Sequence, residues 1–220
     1  LPKIKIDLHV HTDFSDSASG LKEVVSAALG KGLDGIAITD HGTCQAAKIA
    51  MVKYSSEILT VPGLEYSTED GHLLGLGIFE DPPKGLTAFE FSSYVHARGG
   101  ILVVPHPGIP FLSSSERIFK ILKPDAIETR NAAVPLFWWV TRRNEALAEK
   151  LHLPQTGGSD AHNSRRVGDA YTTIDSDSRE LRDILLAIKE GRSKPEGNAS
   201  PLLYRTGLSL SFLKSRKERD

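Results

Sequence analysis

The chain alternates short apolar runs with helical patterns, and that alternation limits its architecture more than any other feature. Eight runs read as strands: residues 4–10, 35–39, 59–65, 72–78, 101–105, 126–129, 155–159 and 170–174. Several, such as ILVV at 101–104, are continuous, as expected for strands covered on both faces in a parallel sheet. Between them, Leu21, Val24, Val25, Ala28 and Leu29 recur at helical spacing, with Gly30 and Gly32 as stops. Thr87 with Glu90, and Ser113 with Glu116, have the spacing of capping boxes. Leu181, Ile184, Leu185 and Ile188 form a further stripe, ended by Gly191. Strand-then-helix units imply parallel strands joined by crossover helices, and about seven of them favour closure into a barrel. Two segments break the rhythm. GHLLGLGI at 71–78 follows the third strand so closely that it reads as a local hairpin. After Lys194 the pattern becomes irregular, so a barrel domain is expected over residues 1–200, with 201–220 an irregular arm or charged tail.

Bulk properties exclude several classes of function. The net charge is −1, from 27 basic and 28 acidic side chains, so no global field draws in nucleic acid or an acidic membrane. With Cys44 as the single cysteine, intrachain disulfides and thiolate-rich zinc sites are ruled out, and a cytoplasmic location is expected. Charges at Lys3, Lys5 and Asp7 are unlike a secretory signal. No apolar run approaches the ~18 residues of a membrane span.

The histidines carry the chemical information. Six of the eight, His9, His11, His41, His72, His106 and His162, fall at or just after an expected strand. His96 and His152 lie in helical stretches and read as surface or packing residues. Strand C-termini of a barrel converge on one mouth. That would gather His11, Asp13, Asp16, Asp40, His41, Glu65, His106, Asp160 and His162, with His72 added if the hairpin folds over. A strand has a period of two, so His9 and His11 share a face, and Ile6, Leu8 and Val10 are expected to build the barrel wall. Asp160 and His162 repeat the spacing after Gly157-Gly158, read as a tight turn.

Each residue has a plainer explanation. A single strand histidine is more often a satisfied core group. Asp13, Ser15 and Asp16 suit a turn, and Asp40 suits a helix cap. So many polar groups at one mouth need partners, however, because an unpaired buried group costs about 1–3 kcal/mol. Divalent cations supply those partners, and imidazoles with carboxylates but no thiolate suit first-row metals. Arg130, Arg165 and Arg166 are candidate phosphate-binding cations. FWWV at 137–140 is expected chiefly to pack the core, with a base-binding wall or a subunit contact as alternatives.

The motifs LHVHTDFSDS (8–17), ITDHGT (38–43), PGLE (62–65) with GHLLGLG (71–77), VVPHPG (103–108) and GGSDAH (157–162) run in order across nearly the whole chain. With them the sequence strongly resembles the PHP family, the polymerase and histidinol phosphatase superfamily of metal-dependent phosphoesterases. The resemblance implies a distorted (β/α)7 TIM-like barrel holding two or three divalent transition metals (Mn, Zn or Fe). It implies that His9, His11, Glu65 and Asp160 hold the first metal. Glu65 would bridge to a second, with His72 and His106, and Asp16, His41 and His162 would hold a third. The implied chemistry is attack of a metal-bridging hydroxide on phosphorus, with Asp13, His41 or His162 as proton donor and Asp40 orienting His41 or a neighbour. The expected substrate is a small phosphorylated metabolite or nucleotide. The rivals are a phosphodiesterase or exonuclease on nucleic acid, a non-catalytic metal-bound scaffold, and hydrolysis of C–N bonds.

Overall fold

The computed structural model describes residues 3–107 and 118–207. All eight expected strands form: β1 (Lys3–Val10), β2 (Gly35–Ile38), β3 (Leu59–Thr68), β4 (Gly71–Leu76), β5 (Ile101–Val104), β6 (Ala126–Asn131), β7 (Gln155–Gly158) and β8 (Ala170–Asp175). A ninth, β9 (Ser193–Gly197), occupies the stretch read as irregular. Its sequence, SKPEG, shows no apolar alternation. It is an edge strand pairing only with β8, and an edge is where a strand proline is tolerated. The helices are α1 (Leu21–Gly30), α2 (Gln45–Lys53), α3 (Ala88–Ala97), α4 (Ile118–Ile121), α5 (Phe137–Leu151) and α6 (Leu181–Lys189). The Thr87–Glu90 capping box forms as expected, while the Ser113–Glu116 pair lies outside the described residues. Among the described residues, no helix is long and apolar enough to cross a membrane.

The sheet runs β7-β6-β5-β4-β3-β2-β1-β8-β9. The pairs β1/β2, β2/β3, β5/β6 and β6/β7 are parallel, as the rhythm implied. β4 is antiparallel to both neighbours, so the segment at 71–78 is a hairpin arm within the wall. β8 is antiparallel to β1 and β9. The ends of the sheet approach each other in two layers. Low in the barrel, the Thr172 hydroxyl exchanges hydrogen bonds with the Gly157 N–H and C=O, each at 2.8 Å. Higher up, Val10 bridges directly to Ala161. The result is a distorted, nearly closed barrel of nine strands, one more than the eight runs read from the sequence and two more than the (β/α)7 barrel the resemblance implied.

A β-bulge gives the barrel two different ends. In β1 the register against β2 shifts between Asp7 and Val10. Ile4, Ile6 and Leu8 join one core cluster with Val61, Leu74, Val103 and the buried face of α6. Val10 instead packs among residues of α1 and α2. The wall is therefore not the uniform Ile6–Leu8–Val10 face that simple alternation predicts. One extra residue in a strand re-aims every side chain after it. Below the bulge β1 feeds an apolar interior. Above it, His9 and His11 point inward and Val10 points out.

α6 seals the apolar end, burying Ile184, Leu185, Ala187 and Ile188 against the N-terminal ends of the parallel strands. Its approach is close: a side chain at Gly77, where φ is +81°, would lie 2.4 Å from Leu185 Cδ1. The FWWV run divides. Phe137 and Val140 are buried, but Trp138 and Trp139 are 60% and 57% exposed, so core packing accounts for only half of it.

Asp125, just before β6, ties three elements together. Its carboxylate accepts from the Leu102 N–H at 2.8 Å and the Lys189 ammonium at 3.0 Å, and pairs with His96 Nε2 at 2.8 Å. Burial works against the charge, but the Leu102, His96 and Lys189 donors outweigh it and hold the carboxyl below its usual range. A depressed pKa contributes stability above the unfolded value, near 3.9, that is lost as pH falls through the folded value. Asp125→Ala is expected to cost about 1–3 kcal/mol at neutral pH in urea unfolding. The variant should also lose less stability than the wild type between neutral pH and the acid range.

Candidate metal centre

The C-terminal ends of the parallel strands bring together the residues that the spacing singled out. Glu65, in β3, lies at the middle and is buried. Five imidazoles approach its carboxylate: His9 Nε2 at 3.4 Å, His11 Nε2 at 3.3 Å, His41 Nδ1 at 3.5 Å, His72 Nδ1 at 2.8 Å and His106 Nε2 at 3.5 Å. Asp160, just after β7, lies 3.6 Å from His9 and 3.3 Å from His11. On the open side, half-exposed Asp16 lies 3.2 Å from His162 Nε2, 3.5 Å from His41 Nε2 and 3.7 Å from His11 Nδ1.

These separations suit shared cations. Two donors each ~2.0–2.1 Å from a tetrahedral ion stand about 3.4 Å apart, longer than the ~2.9 Å of a hydrogen bond. Four groupings have donor atoms all within 4.8 Å of one another: His11, Asp16, His41 and His162; His9, Glu65 and His106; His9, His11 and Asp160; and His41, Glu65 and His72. Buried His11 Nδ1, His11 Nε2 and His41 Nδ1 have no hydrogen-bond partner among the described residues. Orphaned imidazole nitrogens aimed at carboxylates are what ligands to a cation look like. The residues present fit the metals that the sequence implied.

Electrostatics agree. Burial opposes ionisation of Glu65, yet His72, His9 and His41 hold its carboxyl well below the usual range. Asp160 is likewise depressed against its burial, by His9, His11 and His162. Burial also opposes protonation of His9, but Asp160, Glu128 and Glu65 raise its pKa well above normal. Carboxylates held ionised and imidazoles drawn to them form one coupled set, whose charge either protons or cations can balance.

Two ligand candidates sit on unusual backbone. His106 and Asp160, just past β5 and β7, have φ of +32° and +51°. Such conformations are uncommon outside glycine and concentrate at functional sites. The His106 N–H donates to Glu128 at 2.9 Å, and the Asp160 N–H donates to the His9 carbonyl at 2.8 Å.

Several supports escaped the sequence reading. Buried Glu128 pairs with His9 Nδ1 at 3.1 Å and accepts from the Asn131 amide at 2.9 Å. Asn131 also donates to Asp160 at 3.2 Å. Alternation from Ala126 would have pointed Glu128 inward; nothing marked Asn131. Asp7 accepts from the N–H groups of Ser159, Gly168 and His9, and burial pushes its pKa up to about 6. It secures the β7 end rather than entering the site. Tyr204 reaches the rim from a helical turn at 202–207, in the segment read as an irregular arm or tail, and accepts from the His162 N–H at 2.8 Å.

Other expected residues lie elsewhere. Asp40 does not orient His41. Its oxygens accept from the Thr12 N–H and hydroxyl and from the Ser15 hydroxyl, each at 2.7 Å, fixing the loop that carries Asp16. Exposed Asp13 has its carboxylate beside Gly20, ahead of α1, and belongs to none of the ligand groupings. Arg130 faces away from the mouth. It donates to the Gly197 carbonyl at 3.1 Å and to Glu145 of α5 at 3.4 Å. The cause is a second bulge, between Glu128 and Arg130, which turns Asn131 inward and Arg130 outward. Arg166 pairs with Asp169 at 3.5 Å, whereas exposed Arg165 has no side-chain partner among the described residues. His96 and His152 lie outside the cluster, the first paired with Asp125 and the second ending α5.

The PHP domain model matches residues 7–96, and the PHP-associated model matches residues 140–193. The chain belongs to the PHP family and is a metal-dependent phosphoesterase, a hydrolase of phosphoric esters. A phosphoribosyl 1,2-cyclic phosphate 1,2-diphosphodiesterase of Eggerthella lenta is 34% identical over 86 residues, 35% of this chain and 32% of that one. Among solved structures, a two-domain protein from Bacteroides vulgatus, containing a predicted PHP-like metal-dependent phosphoesterase, superposes with a TM-score of 0.78 at 18% identity. That match covers 90% of this chain and 65% of that one. Endonuclease Q, bound to a 27-mer duplex with an abasic lesion at its active site, gives 0.66 at 18% identity, over 90% of this chain and 60% of that one.

Gly157 and Gly158 lie in β7 and do not form the expected turn. A Cβ at Gly158 would stand 2.5 Å from the His9 Cβ and 2.9 Å from Glu128 Oε1. Gly158→Ala is therefore expected to displace His9 and weaken metal binding about 10–100-fold, the usual effect of disturbing a ligand's support. Chelator competition on the folded variant checks this.

Proposed function

We propose that this phosphoesterase hydrolyses a small phosphorylated metabolite or nucleotide at the Glu65-centred cluster, with up to three divalent cations (Mn, Zn or Fe). One observation carries the reading: a buried carboxylate approached by five imidazoles, with orphaned nitrogens on His11 and His41. His9, His11, Glu65 and Asp160 would hold one cation, Glu65, His72 and His106 a second, and Asp16, His41 and His162 a third. Bound there, such cations supply Lewis acidity, an acidified water and neutralisation of phosphoryl oxygens.

The chain's own residues supply the rest. Glu128 and Asn131 hold His9 and Asp160 in place. Asp40 fixes the loop that brings Asp16 over the mouth. His41 and His162 are partly exposed on the open side, and we assign the leaving oxygen's proton to this pair only when the third cation is absent, since with it bound their ring nitrogens would be ligands; Asp13 belongs to none of the groupings. Arg165, exposed and without a side-chain partner among the described residues, is the arginine left for phosphate. The near-zero net charge and the Eggerthella lenta relative, named for a small cyclic phosphodiester, favour a small substrate. The likeness to endonuclease Q supports the nucleic-acid alternative.

Elemental analysis should find two or three transition metals per chain. His11→Ala and Asp160→Ala should each abolish hydrolysis of an aryl phosphate while the protein stays folded; full activity in either variant would sink this assignment. Purified protein that Mn²⁺, Zn²⁺ and Fe²⁺ all fail to activate would support the scaffold instead. Salt separates the two substrate classes. Hydrolysis of a small ester should change little between about 50 and 200 mM salt, whereas binding through 6–10 nucleic-acid phosphates would weaken roughly 10³–10⁵-fold.

A further inference from the structure

The segment after β9 is built onto the mouth. The Ser200 N–H donates to the Ala132 carbonyl at 2.9 Å, and its hydroxyl donates to Asp169 at 2.8 Å. Arg205 Nε donates to the Ser200 carbonyl at 2.8 Å, and its NH1 to the Val134 carbonyl at 3.2 Å. The arm thereby joins the loop after β6 to the connection between β7 and β8. It carries one phenol to the rim, where the Tyr204 hydroxyl accepts from the His162 N–H at 2.8 Å.

A phenol hydroxyl has one proton to donate besides the lone pairs that accept. His162 occupies the accepting side of Tyr204, and no described residue accepts its proton. The ring is partly buried, so the hydroxyl is held in place. His162 belongs to the grouping with His11, Asp16 and His41 that faces the opening. Held against the backbone of a residue whose ring joins that grouping, and with its proton uncommitted among the described residues, the hydroxyl is a donor available to an anionic oxygen bound beside it.

We infer that Tyr204 is a substrate-binding residue, its hydroxyl donating a hydrogen bond to a phosphoryl oxygen of the ester. This rests on the phosphoesterase site proposed above and adds to it a ligand contact from outside the histidine motifs. The hydroxyl binds without transferring its proton. Its loss should therefore weaken binding of the ester and of the phosphate product alike.

The test compares Tyr204→Phe with wild type, both loaded with Mn²⁺. Inorganic phosphate binding is measured by calorimetry, kcat and KM on an aryl phosphate by kinetics, and metal content by elemental analysis. Loss of one hydrogen bond to a charged oxygen should weaken phosphate binding about 10–100-fold and raise KM, with metal content unchanged and Tm lowered modestly because the His162 N–H loses its acceptor. Unchanged phosphate affinity in the variant overturns the inference. So does a variant that has lost metal, because the hydroxyl would then act only by holding the His162 backbone. Wild-type protein that neither binds phosphate nor hydrolyses the ester overturns the site reading itself, whatever the variant does.

Discussion

The buried carboxylate of Glu65 governs the upper half of this molecule. An ionised group in a sealed interior costs several kcal/mol unless compensated, and five imidazoles are turned toward it. They come from β1 and the loop after it, the ends of β2 and β5, and the start of the hairpin strand β4. Those elements must therefore end at the same height around the barrel. The hairpin achieves this for His72, because β4 runs downward from the mouth and presents its first residues there. The antiparallel interruption of an otherwise parallel wall is in this sense part of the site.

The two bulges divide the interior by chemistry. Strict alternation along β1 would put residues 4, 6, 8 and 10 on one face throughout, giving an interior either apolar or polar along its length. The shift between Asp7 and Val10 lets one strand supply Ile4, Ile6 and Leu8 to the α6-capped core and then His9 and His11 to the mouth. In β6, Ala126 and Glu128 face inward by simple alternation, and the bulge after Glu128 adds Asn131 to that face while turning Arg130 out. A dry apolar floor under the cluster keeps the local dielectric low, which strengthens every ion–ligand interaction above it.

Much of this was legible in the sequence. Strand positions followed from apolar runs, and the candidate ligands followed from histidines and carboxylates placed at strand ends. The bulges were not legible, because an inserted residue leaves no compositional trace. That is why Arg130 was expected at the mouth and Val10 in the interior wall. β9 was missed because a polar edge strand owes its form to its partner β8 rather than to its own residues. Asp40 was read as orienting His41 or a neighbour, but a carboxylate beside a histidine in sequence need not touch it in space; here it holds the loop of Thr12 and Ser15. Tyr204 carried no signal, since its role depends on where the arm docks.

The layered closure between β1 and β7 has a mechanical consequence. In the upper layer the two strands meet through few hydrogen bonds, from the His11 N–H to Ala161 and from the Asp160 N–H to His9. The joined segments lie some 150 residues apart in the chain. His9 and His11 stand on one side of that seam and Asp160 on the other. Any ion taken up by these three residues acts as a clasp, fastening the first strand to the last of the parallel set. The thinnest part of the wall would then be held shut by the cargo it encloses, so filling the site and closing the barrel become a single cooperative event.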